Sequence, residues 1–187
     1  MLYKALQKIE QGMQESEKRP YVVAIDGMSG SGKTTLAKQI QEMISGINVF
    51  HMDDFFLQPH QRTPERLEQV GGNVDYERFA EEIILHLTDE QGLRYRAFDC
   101  GKQKLREELE MPWAPIVIVE GAYSHHPYFG DVYDLRIFCE ISEEEQCQRI
   151  RKRNGEVMWN RFVEEWIPKE NAYFKKYKIR EKSGLVC

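Results

Sequence analysis

Residues Gly27-Met28-Ser29-Gly30-Ser31-Gly32-Lys33-Thr34 satisfy the pattern G-x-x-x-x-G-K-[ST] at every position. No other feature constrains the chain as much, because this loop works only between a strand that ends under it and a helix that starts from it. Both neighbours are present. Tyr21-Val22-Val23-Ala24-Ile25 reads as a buried strand, and Thr34 to Ile44 reads as a helix. The glycines allow backbone N–H groups to turn inward as a nest for phosphate oxygens, and the helix N-terminus adds partial positive charge. Gly27, Ser29, Gly30, Ser31, Gly32, Lys33, Thr34 and Thr35 are therefore the candidate nucleotide-binding residues. Lys33 is suited to the β/γ-phosphates, and the Thr34 hydroxyl to a Mg²⁺ ion. The expected ligand is a nucleoside triphosphate.

At 187 residues the chain suits a single domain, residues 1–187, with a sizeable core; 41% of its residues are apolar or aromatic. The net charge of −5 excludes a nucleic-acid binder that runs on a broad basic surface. Cys100, Cys139, Cys147 and Cys187 show neither C-x-x-C pairing nor metal-ligand spacing, which suits reduced thiols. No apolar run is long enough for a signal core or a membrane span. The expectation is a cytoplasmic protein with no membrane partner.

Leu2, Leu6, Ile9 and Met13 recur at helical spacing, predicting an amphipathic helix over residues 2–18 that packs on the domain or joins a homodimer. Ile47 to Met52 reads as a second strand, following Gly46 at a helix C-terminus. From Asp53 to Asn73 there is no clear period, so a long functional loop is expected. A helix capped near Asp75 carries Phe79, Ile83, Ile84 and Leu87, and Leu93 to Asp99 alternates as a short strand or hairpin arm. Lys102 to Glu110 is charged and undefined. Pro115–Val119 and Leu135–Cys139 read as buried strands. Ser142 and Glu145 form a capping box for a helix towards Arg153. A last helix spans Phe162–Tyr177, interrupted or kinked at Pro168, before a short strand at Leu185–Cys187. Strands alternating with helices predict a parallel α/β sheet covered on both faces, with ligands at the carboxyl ends of its strands.

The candidate catalytic groups lie at those ends. Asp53 and Asp54 follow the second strand, beside Phe55 and Phe56. Phosphoryl transfer to an alcohol needs a carboxylate to orient the hydroxyl and accept its proton. The pair offers that base, a water-mediated Mg²⁺ contact and an apolar wall in Phe55. Glu120 ends the strand after Val119 and is a candidate for the metal or for substrate. Arg149 and Arg153, four apart on a helix, share a face and can clamp phosphate oxygens. Asp75, Tyr95, Arg96, Asp99 and Lys102 are candidate substrate contacts by their place between the second strand and Glu120. His125-His126 lacks a third ligand at zinc spacing, and Trp113, Trp159 and Trp166 suit packing.

Asp26-Gly27-Met28-Ser29-Gly30-Ser31-Gly32-Lys33-Thr34-Thr35, Asp53-Asp54-Phe55-Phe56 and Val119-Glu120-Gly121 together resemble the uridine kinase and phosphoribulokinase group of P-loop kinases, over Tyr21 to Tyr177. The acidic pair is similar to that of nicotinamide riboside kinases. Uridine kinases have Asp-Ser-Phe-Tyr there, with the first Asp as base, which maps that role to Asp53 and leaves Asp54 sharing the candidacy. The resemblance implies a three-layer P-loop kinase fold with a parallel β-sheet of order 2-3-1-4-5 flanked by helices. It also implies ATP and Mg²⁺ as cofactors and a small-molecule hydroxyl substrate. Two segments depart from the family: Tyr95-Arg96-Ala97-Phe98-Asp99, and the lid at about residues 149–160, whose arginines reduce to Arg149-Ile150-Arg151-Lys152-Arg153. A nucleoside, nicotinamide riboside, pantothenate or a sugar remain open as acceptors, as does a non-catalytic ATP-binding module. A GTPase is disfavoured, because no Asn-Lys-x-Asp motif occurs.

Overall fold

The computed structural model describes residues 1–17 and 19–187, so the last residue of the predicted leading helix, Lys18, lies outside the described residues. In chain order the elements are α1 (Leu2–Glu15), β1 (Tyr21–Gly27), α2 (Lys33–Met43), β2 (Ile47–His51), α3 (Pro64–Glu68), α4 (Tyr76–Glu82), β3 (Leu93–Tyr95), β4 (Phe98–Asp99), β5 (Lys104–Leu105), β6 (Leu109–Met111), β7 (Ile116–Glu120), β8 (Leu135–Cys139), α5 (Glu143–Arg161), α6 (Ile167–Tyr177) and β9 (Leu185–Val186). The main sheet runs β2-β7-β1-β8-β9 with every pairing parallel. Counted within that sheet the order is 2-3-1-4-5, as the resemblance implies.

Side-chain alternation along the strands builds two cores. Val22 and Ala24 of β1, Val117 and Val119 of β7, Phe50 of β2 and Phe138 of β8 face one side, where Phe79 of α4 and Tyr173 of α6 cover them. Val23 and Ile25, Ile116 and Ile118, Ile47, Ile137 and Cys139 face the other, under Ala5 and Ile9 of α1 and Leu36, Ala37 and Ile40 of α2. Every residue of β1 and β7 is buried, which explains why their sequences run apolar without alternation. The amphipathic α1 spends its apolar stripe on this second core.

Several boundaries differ from the sequence reading. The predicted loop at 53–73 contains a 3-10 turn at Pro59–Gln61 and the short helix α3. Thr63 caps α3 by accepting from Arg66 N, with Pro64 at its start. Arg66 then holds the segment shut: its guanidinium donates to the Gly72 and Val74 carbonyls and to Glu77, and stacks on Tyr76. The charged stretch 102–110 supplies two hairpin arms, β5 against β4 and β6 against β3. α5 runs past Arg153 to Arg161, but Gly155 breaks it internally at φ 78. Pro168 lies in the first turn of α6, after a π turn at Phe162–Trp166, and so costs no interior hydrogen bond. No described helix is long and apolar enough to cross a membrane.

His126 illustrates what the packing costs. It stacks on Tyr76 with ring centroids 4.4 Å apart, and burial pushes its pKa down to about 4. The native ring therefore stays neutral while the unfolded one takes up a proton near pH 6.5, so its contribution to stability is lost as pH falls from 6.5 to 4. His126→Phe keeps the stacking and removes the titration. Between pH 7 and pH 4, stability should shift in favour of that variant over wild type by about 3 kcal/mol, measured by urea unfolding at each pH. Parallel pH profiles for the two proteins would disprove it.

Candidate active site

The phosphate loop leaves the carboxyl end of β1. Its first glycine, Gly27, has φ +134, and a methyl group there would lie 2.0 Å from the Cys139 carbonyl oxygen of β8. Gly30 and Gly32 also have positive φ, which turns the loop around a central mouth. Lys33 Nζ sits in that mouth and donates to the Gly27 and Met28 carbonyls at 2.7 and 3.0 Å. The Ser31 N–H reaches the same Met28 oxygen at 3.1 Å.

The sheet register assembles the acids. His51 of β2 and Ile25 of β1 both lie opposite Glu120 of β7. These residues share the face that carries α2, so the Thr34 hydroxyl donates to the Glu120 carboxylate at 3.1 and 3.2 Å. His51 Nδ1 is 2.5 Å from Glu120 Oε1, and that bond raises the imidazole pKa against the burial that lowers it. Glu120 itself is only 4% exposed.

Asp53 and Asp54 stand in the 3-10 turn Met52–Phe55 that follows β2. Asp53 is exposed at the rim of the site, and the desolvation it suffers beside its neighbours, together with Glu120, raises its pKa, while Lys33 and His51 work against the rise. Burial also raises that of Asp54, with His51, Arg106 and Arg78 opposing. The charges that oppose the rise differ: Lys33 and His51 for Asp53, and His51, Arg106 and Arg78 for Asp54. Arg78 binds the Asp54 carbonyl at 2.9 Å and lies over the Phe55 ring at 4.3 Å, which holds the turn from beneath.

The structure brings Lys33, Thr34, Glu120, Asp53 and Asp54 to one edge, with Arg149 beside them. Arg149 donates to the Gly30 carbonyl at 3.1 Å, while Arg153 on the same helix bonds Asn154. Phe55 is fully buried and stacks on Tyr95, itself 6% exposed. Asp75 caps α4 through Arg78 N and accepts from Gln61 Nε2. Arg96 is exposed and contributes its backbone, to Glu82 and Arg78.

Three residues of the site carry no motif. His51 pairs with Glu120, Glu170 of α6 binds Ser29, and Gln146 of α5 donates to the Ser29 carbonyl at 3.0 Å. Glu170 and Gln146 are 5% and 4% exposed, so the legible signal was a polar side chain on the buried face of an amphipathic helix.

Oxygen donors at Thr34 and Glu120 suit a hard cation. Among the described residues no group of three or more His, Cys, Asp or Glu side chains forms a metal cage. That donor set fits Mg²⁺, which keeps waters and takes its remaining ligands from phosphates.

A model of the NB-ARC domain matches residues 2–56, the part that contains the phosphate loop. The uridine kinase of Ligilactobacillus salivarius (strain UCC118) is 24% identical over 151 residues, 77% of this chain and 71% of that protein. Human nicotinamide riboside kinase 1 is 26% identical over 141 residues, 71% of this chain and 64% of the relative, so the match spans just under two thirds of its length. In fold, a "possible uridine kinase" of Bacillus stearothermophilus superposes with a TM-score of 0.72 at 18% identity, covering 98% of each chain. With the phosphate loop and the sheet order already described, the chain is similar in sequence and in fold to uridine kinase-like P-loop kinases.

Proposed function

We propose that the protein transfers the γ-phosphate of ATP to a hydroxyl of a nucleoside-like small molecule. The observation that carries this reading is the Glu120 carboxylate held by Thr34 of the phosphate loop at 3.1 and 3.2 Å and by His51, two residues before Asp53 on the turn that follows β2. The loop amides and Lys33 bind the triphosphate, and Arg149 flanks the loop to offset charge on the transferring group. Thr34, with Glu120 and Asp54 through water, would hold Mg²⁺, whose charge neutralises the β- and γ-oxygens when it is bound. Asp53 orients the acceptor hydroxyl and takes its proton. In a loose transition state such positioning supplies much of the rate.

A second reading keeps the chemistry and changes the acceptor to a hydroxyl compound without a base. The aromatic faces near the acidic turn favour it, because Tyr95 and Phe98 are buried in the core. Arg106 and Arg62, which lies over Phe98, meanwhile bring positive charge to the same edge. Coupled ADP-release assays over nucleosides, nicotinamide riboside, pantothenate, sugars and sugar acids separate the two. Lys33→Ala is the blank, expected to turn over orders of magnitude more slowly while remaining folded. Turnover by that variant near wild type would show that the phosphate loop is not the working ATP site.

Asp53→Asn should leave ATP affinity nearly intact and remove most of the single-turnover rate. In wild type the rate should rise with pH through a pKa above the ordinary aspartate value, since the ionised form is the base. If Asp54→Asn alone abolishes transfer, the two roles are exchanged. If neither substitution does, the base lies elsewhere.

Activity should also require Mg²⁺ or Mn²⁺, and Glu120→Gln should raise the metal concentration needed for half-maximal rate. Equal rates in excess chelator would sink the assignment of Thr34 and Glu120.

A further inference from the structure

Ser29 is gripped from outside the nucleotide site on each of its polar atoms. Glu170 accepts from its N–H at 3.0 Å and from its hydroxyl at 2.5 Å, and Gln146 Nε2 donates to its carbonyl at 3.0 Å. A trans peptide unit points its C=O and N–H in opposite directions. Drawing the Ser29 N–H outward to Glu170 therefore turns the Met28 carbonyl inward, where it meets Lys33 Nζ and the Ser31 N–H. Drawing the Ser29 carbonyl outward to Gln146 turns the Gly30 N–H towards the mouth. The Arg149 bond to the Gly30 carbonyl does the same for Ser31 N–H.

We infer that Glu170 is a positioning residue for ATP: it fixes the Ser29 peptide so that the loop's inner face presents its lysine and amides to the phosphates. This rests on reading the loop as the nucleotide site. A carboxylate nine-tenths buried is costly to keep, and both of its oxygens are spent on one loop residue. A purely structural anchor for α6 already exists one turn on, where Tyr173 donates to Asp26 at 2.8 Å. Tying the helix to the sheet therefore does not require Glu170.

The two roles separate by experiment. Affinity for a fluorescent ATP analogue and thermal midpoint are measured for wild type, Glu170→Ala, Glu170→Gln and Tyr173→Phe. Glu170→Ala should weaken ATP binding about tenfold or more, the scale of one lost charge-assisted hydrogen bond. Glu170→Gln, which keeps one acceptor oxygen, should recover part of that loss. Tyr173→Phe should lower the midpoint at least as much as Glu170→Ala and weaken ATP binding less than it does. Should the alanine variant fail to fold, the glutamine variant decides alone. Wild-type affinity in the folded Glu170 variants overturns the inference, as does a loss of affinity that merely follows the midpoint across all three substitutions. Failure of wild type itself to bind ATP overturns the nucleotide reading first, and this inference with it.

Discussion

The Asp26 carboxyl is fully buried at the point where β1 gives way to the phosphate loop, and it accepts three hydrogen bonds from three different parts of the chain. Gly27 N donates at 2.7 Å from the loop, His125 N at 3.0 Å from the segment after β7, and the Tyr173 hydroxyl at 2.8 Å from α6. A buried acid is tolerable only when it is saturated in this way. The consequence is architectural. The loop cannot move independently of the β7 edge that supplies Glu120, or of the helix that supplies Glu170. An acid at this position therefore converts the end of a strand into a fixed platform for the loop.

The parts of the fold legible in sequence were those set by local pattern. β1 and β7 are buried on both faces, so their apolar runs stood out without any tertiary knowledge. The Ser142 cap and the glycines of the loop act within a few residues of themselves, and the structure has them where the spacing implied. What escaped was stabilised at a distance. The segment after Asp54 has no period because Arg66 organises it with long polar bonds to carbonyls and Glu77, and an arginine's partners cannot be read from its neighbours. The hairpin arms at 104–105 and 109–111 are two or three residues long, too short for alternation to register.

The site divides along the same line. Lys33 and Thr34 are visible because a contiguous motif contains them. Glu120 was visible because a carboxylate ending a buried strand is conspicuous. His51 looked like an ordinary strand residue until register placed it opposite Glu120, and register is a property of two strands. Glu170 and Gln146 looked like one polar residue each on helices already rich in charge. Of the candidate substrate contacts, Tyr95 lies with its side chain buried in the core and Asp75 caps a helix, placements that depend on partners distant in sequence.

Charge is the last constraint. Asp53, Asp54 and Glu120 crowd one edge of a chain whose net charge is already −5, and a triphosphate would bring more negative charge to it. Lys33 and His51 oppose Asp53, and His51, Arg106 and Arg78 oppose Asp54, but His51 is already occupied by Glu120. Such an edge repels phosphate unless cations accompany it. The loop's inward amides, the helix dipole of α2 and Arg149 on the loop's outer side supply part of that compensation. The remainder has to arrive with the nucleotide, which is the physical reason a site of this composition suits a metal-chelated triphosphate better than a bare one. The same crowding serves the acceptor. A carboxylate whose ionised form is already disfavoured by its neighbours gains most from taking a proton, and in the acidic turn the disfavoured group that Lys33 acts on is Asp53.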